Sequence, residues 1–216
     1  MSEQLGKIEK PETEQFKDKR KLYVVPLIFC NDEAPPEYRE KYEIYWAQVS
    51  QHIANLEERI GKVNHVYHES ISLSGEEGIK VVKKLNPSSY AMAKEKCQAG
   101  ATFESTEDKE LAAESADWER FLLIGFFSKR VADLATELYV EATHKRYEHI
   151  AKQINETLKP NEVGIIFIRE GHPVQFPPDI EVFSVSPPAL DDIHRWQRER
   201  AKRENGEGSP SPRSPD

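Results

Sequence analysis

"GIIFIREGHPVQFPPDIEVFSV", residues 164–185, holds the reading that decides the fold. Gly164 to Ile168 is an unbroken apolar run, too short for a helix and rich in β-branched residues, so it predicts a strand buried on both faces. The run breaks abruptly at Arg169, Glu170, Gly171 and His172. The segment REGHPVQFPPD carries three prolines and predicts a loop, and IEVFSV, residues 180–185, predicts a second strand. A strand covered on both faces needs helices on both sides, and the flanking sequence has to supply them.

Upstream, Ser128 caps a predicted long helix that Pro160 ends. Its apolar stripe is Val131, Leu134, Ala135, Leu138, Ala142, Ile150, Ile154 and Leu158. A further helical stretch opens at Thr106, with Asp and Glu crowded in its first turn, where the helix dipole favours them. Nearer the start, KLYVVPLIFC reads as an interior strand in which Pro26 marks a bulge or an edge. APPEY begins a helix with the stripe Tyr42, Tyr45, Trp46, Val49, Ile53, Leu56 and Ile60, stopped by Gly61. Residues 63–73 predict a strand with His65, Tyr67 and Glu69 on one face and Val66 and His68 on the other. Ser74 and Glu77 have capping-box spacing before the helix GEEGIKVVKKL, and SSYAMAKEKCQAG follows as a short helix. Beyond Pro187–Pro188, a terminal helix docks through Leu190, Ile193 and Trp196.

Alternating strands and helices predict an α/β fold, a mixed sheet with helices packed on it. Residues 21–200 form the α/β domain, with lobes 21–100 and 101–200 as an alternative division. Residues 1–20 have few apolar groups to offset ordering entropy and are expected to be a disordered arm. The tail 201–216, rich in Ser and Pro, is expected to be disordered too.

Composition narrows the chemistry. The charged fraction is 31% and the net charge −8, with mean hydropathy −0.71 and a pI near 5.5. The longest apolar runs, 22–30 and 121–127, fall far short of the roughly 20 residues of a membrane span, so no membrane association is expected. The charged N-terminus has no apolar core of a secretory signal, which predicts a cytoplasmic location. Cys30 and Cys97 are far apart and outside any CxxC pair, and read as free, partly buried thiols. The phosphate-loop, dinucleotide, HExxH and GxSxG motifs are all absent, so no nucleotide or other cofactor is expected.

No metal is expected either. His65 and His68 point to opposite strand faces, and His144 and His149 lie about 140° apart around one helix. The polar break after Ile168 is different. In an open α/β sheet, residues after a strand often line a ligand crevice. There Glu170 and His172 can pair as base and orienter, Arg169 can hold a carboxylate or phosphate in a fork, and His65 or His68 can join from a neighbouring strand. A solvated turn explains the same residues more simply. Arg195, Arg198, Arg200, Lys202 and Arg203 make the terminal helix basic, fit for RNA phosphates or a protein partner, or simply a solvated helix end.

The segments RFLLIGFFSKRVADLATELY and HIAKQINETLKPNEVGIIFIREGHPVQFPPDIEVFSV, within residues 118–196, resemble later domains of bacterial relatives of the archaeal and eukaryotic class-1 peptide-release factors. The family's catalytic Gly-Gly-Gln tripeptide is absent. The resemblance therefore implies a non-catalytic module acting in translation or ribosome rescue through protein or RNA contacts, rather than peptidyl-tRNA hydrolysis. The alternative is a small hydrolase or ligand-binding enzyme built around Arg169, Glu170 and His172. A third expectation is self-association, with the stripes on 37–60 and 131–158 partly exposed on the monomer.

Overall fold

The computed structural model describes residues 19–204; the rest of the expected N-terminal arm and C-terminal tail lies outside the described residues. Among the described residues five strands form one sheet: β1 (Arg20–Pro26), β2 (His65–His68), β3 (Thr102–Phe103), β4 (Val163–Ile168) and β5 (Ile180–Ser184), in the order β3-β2-β4-β1-β5. The α/β class expected from the sequence is present, and all four strand pairings are parallel, where a mixed sheet was expected. Strands from the first and second halves alternate in the sheet, so lobes at 21–100 and 101–200 do not separate. The folded chain also reaches slightly past the expected 21–200, since β1 begins at Arg20 and the last helix ends at Glu204.

β4 sits at the centre, buried along all six residues. Ile165 and Phe167 face one core, and Ile166 and Ile168 the other. Burying each such side chain contributes roughly 2 kcal/mol. Gly164 has a steric reason. A Cβ there would stand 2.9 Å from the Tyr67 ring and 3.0 Å from Leu22 Cδ1 on the flanking strands. Pro26 makes neither a bulge nor an edge. It is the last residue of an interior strand, so its missing N–H costs no ladder bond within the strand, and its carbonyl accepts from Tyr45 Oη at 2.5 Å.

Among the described residues there are six helices. α1 (Pro36–Arg59) buries Tyr42, Tyr45, Trp46, Val49 and Ile53, as its stripe predicted. With α2 (Gly75–Leu85), α3 (Pro87–Gln98) and α6 (Pro188–Glu204) it fills the larger core. α2 begins after Ser74, but the expected capping box is not made, because the Ser74 side chain forms no cap hydrogen bond. α4 (Lys109–Ile124) starts later than Thr106, with Asp108 as its N-cap, accepting from the N–H groups of Glu110 and Leu111 at 2.9 and 3.0 Å.

α5 (Lys129–Thr157) is capped by Ser128 and does two jobs. Its C-terminal half packs Tyr147, Ile150 and Ile154 on the second face of the sheet. Its N-terminal half leaves Val131, Leu134 and Leu138 exposed and pairs with α4, which buries only Ser115. The two helices form an arm whose turn exposes Leu123, Ile124 and Phe127. Among the described residues no helix is long and apolar enough to cross a membrane.

Candidate functional site at the sheet's switch point

The order of the strands creates the site. After β1 and β2 the chain crosses over through α1 and through α2–α3 on one face; after β3 and β4 it returns on the other, through α5 and the 169–179 loop. β2 and β4 are neighbours whose connections therefore leave to opposite faces. That divergence opens a crevice beyond their C-terminal ends, the position where open parallel sheets bind ligands. Glu69 is the first residue after β2, and Arg169 the first after β4.

These two residues anchor a charged cluster. Glu69 Oε2 accepts from the Arg169 backbone N–H at 2.6 Å. Glu69 Oε1 accepts from Arg169 Nε at 2.7 Å, Tyr147 Oη at 3.0 Å and Arg146 Nη2 at 3.1 Å. Arg146 reaches in from α5 and also donates to both oxygens of Glu107, with Nε at 3.1 and 3.0 Å and Nη2 closer still. Glu107 accepts in addition from the N–H of Ser70, whose φ of +70° turns the chain sharply out of β2. That turn ends the strand expected over 63–73 at His68.

The side chains of Glu69, Glu107 and Arg146 are 3%, 1% and 6% exposed; that of Arg169 is 43% exposed. Burial by itself would raise the Glu69 pKa, but the Arg169 N–H and the two guanidinium charges outweigh it and hold the carboxyl below its ordinary value. Burial works against the Arg146 charge, and the hydrogen bonds and charges of Glu107 and Glu69 win, raising its pKa. Tyr147 moves up, first through burial and then through Glu69. Two carboxylates and two guanidiniums leave the cluster neutral. Such buried ions add little stability over apolar side chains of the same volume, which makes the cluster at the switch point the candidate site.

The expected candidates scatter around this cluster. Arg169 is in it. His68 lies beneath it, fully buried on the other face of β2, its Nδ1 2.6 Å from the Glu69 carbonyl and its Nε2 3.0 Å from Ser89 Oγ. Burial lowers its pKa to about 4. Glu170 and His172 do not pair as base and orienter: Glu170 is bound to His194 Nε2 at 2.7 Å on the surface. His172 packs edge-on against Phe176, with its Nδ1 buried and without a hydrogen-bond partner. Burial lowers its pKa, with Glu69 opposing. His65 belongs to the other end of the sheet, where its Nδ1 and Nε2 meet Glu104 and Glu162 at 2.8 and 3.0 Å. Among the described residues no group of three or more His, Cys, Asp or Glu is placed to hold a metal ion. Cys30 and Cys97 are free thiols.

Glu69, Glu107, Arg146 and Tyr147 escaped the sequence analysis. One signal was present. Arg146 stands four residues from both Ala142 and Ile150, on the buried stripe of α5, where a charge has to find a partner.

Fold and site together define the class: a doubly wound parallel α/β protein with a neutral ion cluster at its switch point. No family model, no curated protein and no solved structure matches the chain.

Proposed function

We propose that the protein is a binding module that recognises an oxyanion, a carboxylate or a phosphate, at the switch point through Arg169. One observation carries this. Glu69 holds Arg169 by both its backbone N–H and its Nε, while the side chain stays 43% exposed. Among the described residues the terminal nitrogens have only the Glu119 carboxylate nearby, 3.8 Å from Nη1. A guanidinium fixed at one edge and open at the other is preorganised to take an oxyanion in a fork. The separation of Glu170 from His172 leaves the hydrolase alternative without its acid–base pair.

Calorimetric titration with inorganic phosphate and with acetate tests the proposal. At least one ion is expected to bind, and Arg169→Lys, which keeps the charge but loses the fork, is expected to weaken it roughly tenfold. Absence of binding to the unaltered protein, or equal affinity in the variant, overturns it.

A second reading keeps the release-factor resemblance: a non-catalytic module acting in translation or ribosome rescue, through a ribosomal, RNA or protein partner in the cytoplasm. The surface of α6 favours it. Arg198, Lys202 and Arg203 are exposed and carry no ion pair among the described residues. Arg195 is paired with Asp192, and Arg200 with Glu204. The protein is then expected to sediment with ribosomes at low salt and to be released at high salt. Its absence from the ribosomal fraction at low salt removes this reading.

A further inference from the structure

We propose that the groove between α2 and α3, beside the edge strand β3, binds a small amphipathic anion: an apolar chain or ring that carries a carboxylate or phosphate. It lies at the opposite flank of the sheet's edge from α6 and involves none of the switch-point cluster.

The groove is a cavity of about 570 Å³, within the usual size of small-molecule sites. Its floor is apolar, formed by Ile79, Tyr90 and Phe103. The floor exists because α2 crosses β3 at Gly78. A Cβ at that position would stand 2.6 Å from the Phe103 ring and 2.2 Å from the Leu73 carbonyl oxygen. The backbone of α2 thus lies directly against Phe103, and Tyr90, Lys94 and Cys97 of α3 line the groove with it.

The rim is cationic. Lys80, Lys83 and Lys94 line it, with Glu76 as the one acidic residue among the lining residues. Lys83 and Lys94 place Nζ 5.7 and 5.9 Å from the centre of the Tyr90 ring. None of the three lysines has a carboxylate partner among the described residues. Elsewhere on this chain, lysines and carboxylates pair freely: Lys19 with Glu181, Lys96 with Glu57, Lys129 with Asp133 and Lys145 with Glu141. In a chain of net charge −8, three unpaired ammonium groups around one apolar floor are a local reversal of sign. An anionic head meets the lysines while an apolar body covers Ile79 and Phe103. Cys97 lines the same wall, and burial raises its pKa, so it meets the ligand as a neutral, soft wall rather than as a nucleophile.

Decanoate is the probe, titrated calorimetrically below its micellar concentration, with decyltrimethylammonium as the cationic counterpart. A saturable decanoate site that depends on the groove lysines is expected. Lys80→Gln, Lys83→Gln and Lys94→Gln together should weaken it roughly tenfold or more, and decyltrimethylammonium should not displace it. Ile79→Trp, which fills the groove, should abolish binding. Because its parent surface is apolar and half-buried, its fold is checked by thermal melting, and the lysine variant, altered only at exposed positions, serves where Ile79→Trp does not fold. The triple lysine variant should bind phosphate and acetate at the switch point as the unaltered protein does, which separates the two sites. No saturable binding at millimolar decanoate, an unchanged affinity in the triple lysine variant, or equal binding of the cation each overturns the proposal.

Discussion

Arg146→Ala is expected to cost about 3–5 kcal/mol of folding stability at pH 8, measured by urea unfolding, because it strands buried charge. Arg146 serves two carboxylates at once. Without it, Glu69 keeps Arg169 and Tyr147, but Glu107 keeps only the N–H of Ser70 among its present partners. An unpaired buried carboxylate takes up a proton to shed its charge. The deficit should therefore shrink as the pH falls below about 5, where protonation becomes easy. In the unaltered protein the trend runs the other way. The Glu69 carboxyl is held below its ordinary value, so its contribution is present above the unfolded pKa of about 4.3 and is lost as the pH drops through the lower folded value. The two stability curves should converge in acid. Adding Glu107→Gln to Arg146→Ala should recover part of the loss, since a neutral amide needs no cation. A deficit below about 1 kcal/mol at pH 8, or one that stays constant as the pH falls below about 5, means that the cluster is not held by charge compensation.

This cluster shows what sequence reading reaches and where it stops. β4 was legible because five apolar residues in a row have no other home than the middle of a covered sheet. α2 was legible because Ser74–Gly75 opens it and Asn86–Pro87 closes it, and the observed helix ends where those residues put it. The stripe of α1 was legible because the helical period marks one face whatever lies opposite. β3 escaped because two residues make no pattern. The ion cluster escaped for a different reason. Glu69 meets Arg146 across 77 positions and Arg169 across 100, and Arg146 meets Glu107 across 39. Nothing local in a sequence reports such spacings. They arise only when the order of the strands is known, because it is the order β2-β4, with connections to opposite faces, that brings residues 69 and 169 side by side. The polar break after Ile168 was therefore the right place with the wrong neighbours. Arg169 faces the crevice, and Glu170, one residue on, turns away to His194.

On α5 the apolar stripe was legible and the length over which it is covered was not. The full stripe from Val131 to Leu158 has one helical period, the same whether it is covered along its whole length or left partly exposed. Only the part that reaches the sheet, Tyr147 onward, has a sheet to cover. A stripe states which side of a helix is apolar; how far along the helix a partner extends is a property of the other elements.

His68 supplies the second large effect. His68→Gln is expected to flatten the loss of stability between pH 6.5 and 4. The ring is fully buried against Phe167, with centroids 5.8 Å apart. A carbonyl can only accept, so Nδ1 donates to the Glu69 oxygen, and in the neutral ring Nε2 can only accept from the Ser89 hydroxyl, whose other acceptor is the Asn86 carbonyl at 3.1 Å. Protonation places a charge in the core. Burial is the main reason that its pKa falls to about 4, with the Glu69 carbonyl and charge opposing. The unfolded chain takes up this proton near pH 6.5, the folded chain near 4. Between those values the unfolded state binds more protons, so stability falls as the pH falls, and the full loss, roughly 3 kcal/mol, is reached below pH 4. Glutamine cannot titrate. The variant should be less stable than the unaltered protein at pH 7.5, since it gives up a fitted ring and its bonds, and the difference should close as the pH approaches 4. His172, whose pKa burial also lowers, is the control: His172→Gln should leave most of the slope in place. Urea unfolding from pH 7.5 to 4 measures both variants. A slope that survives His68→Gln assigns the acid loss to other groups and removes His68 as its source.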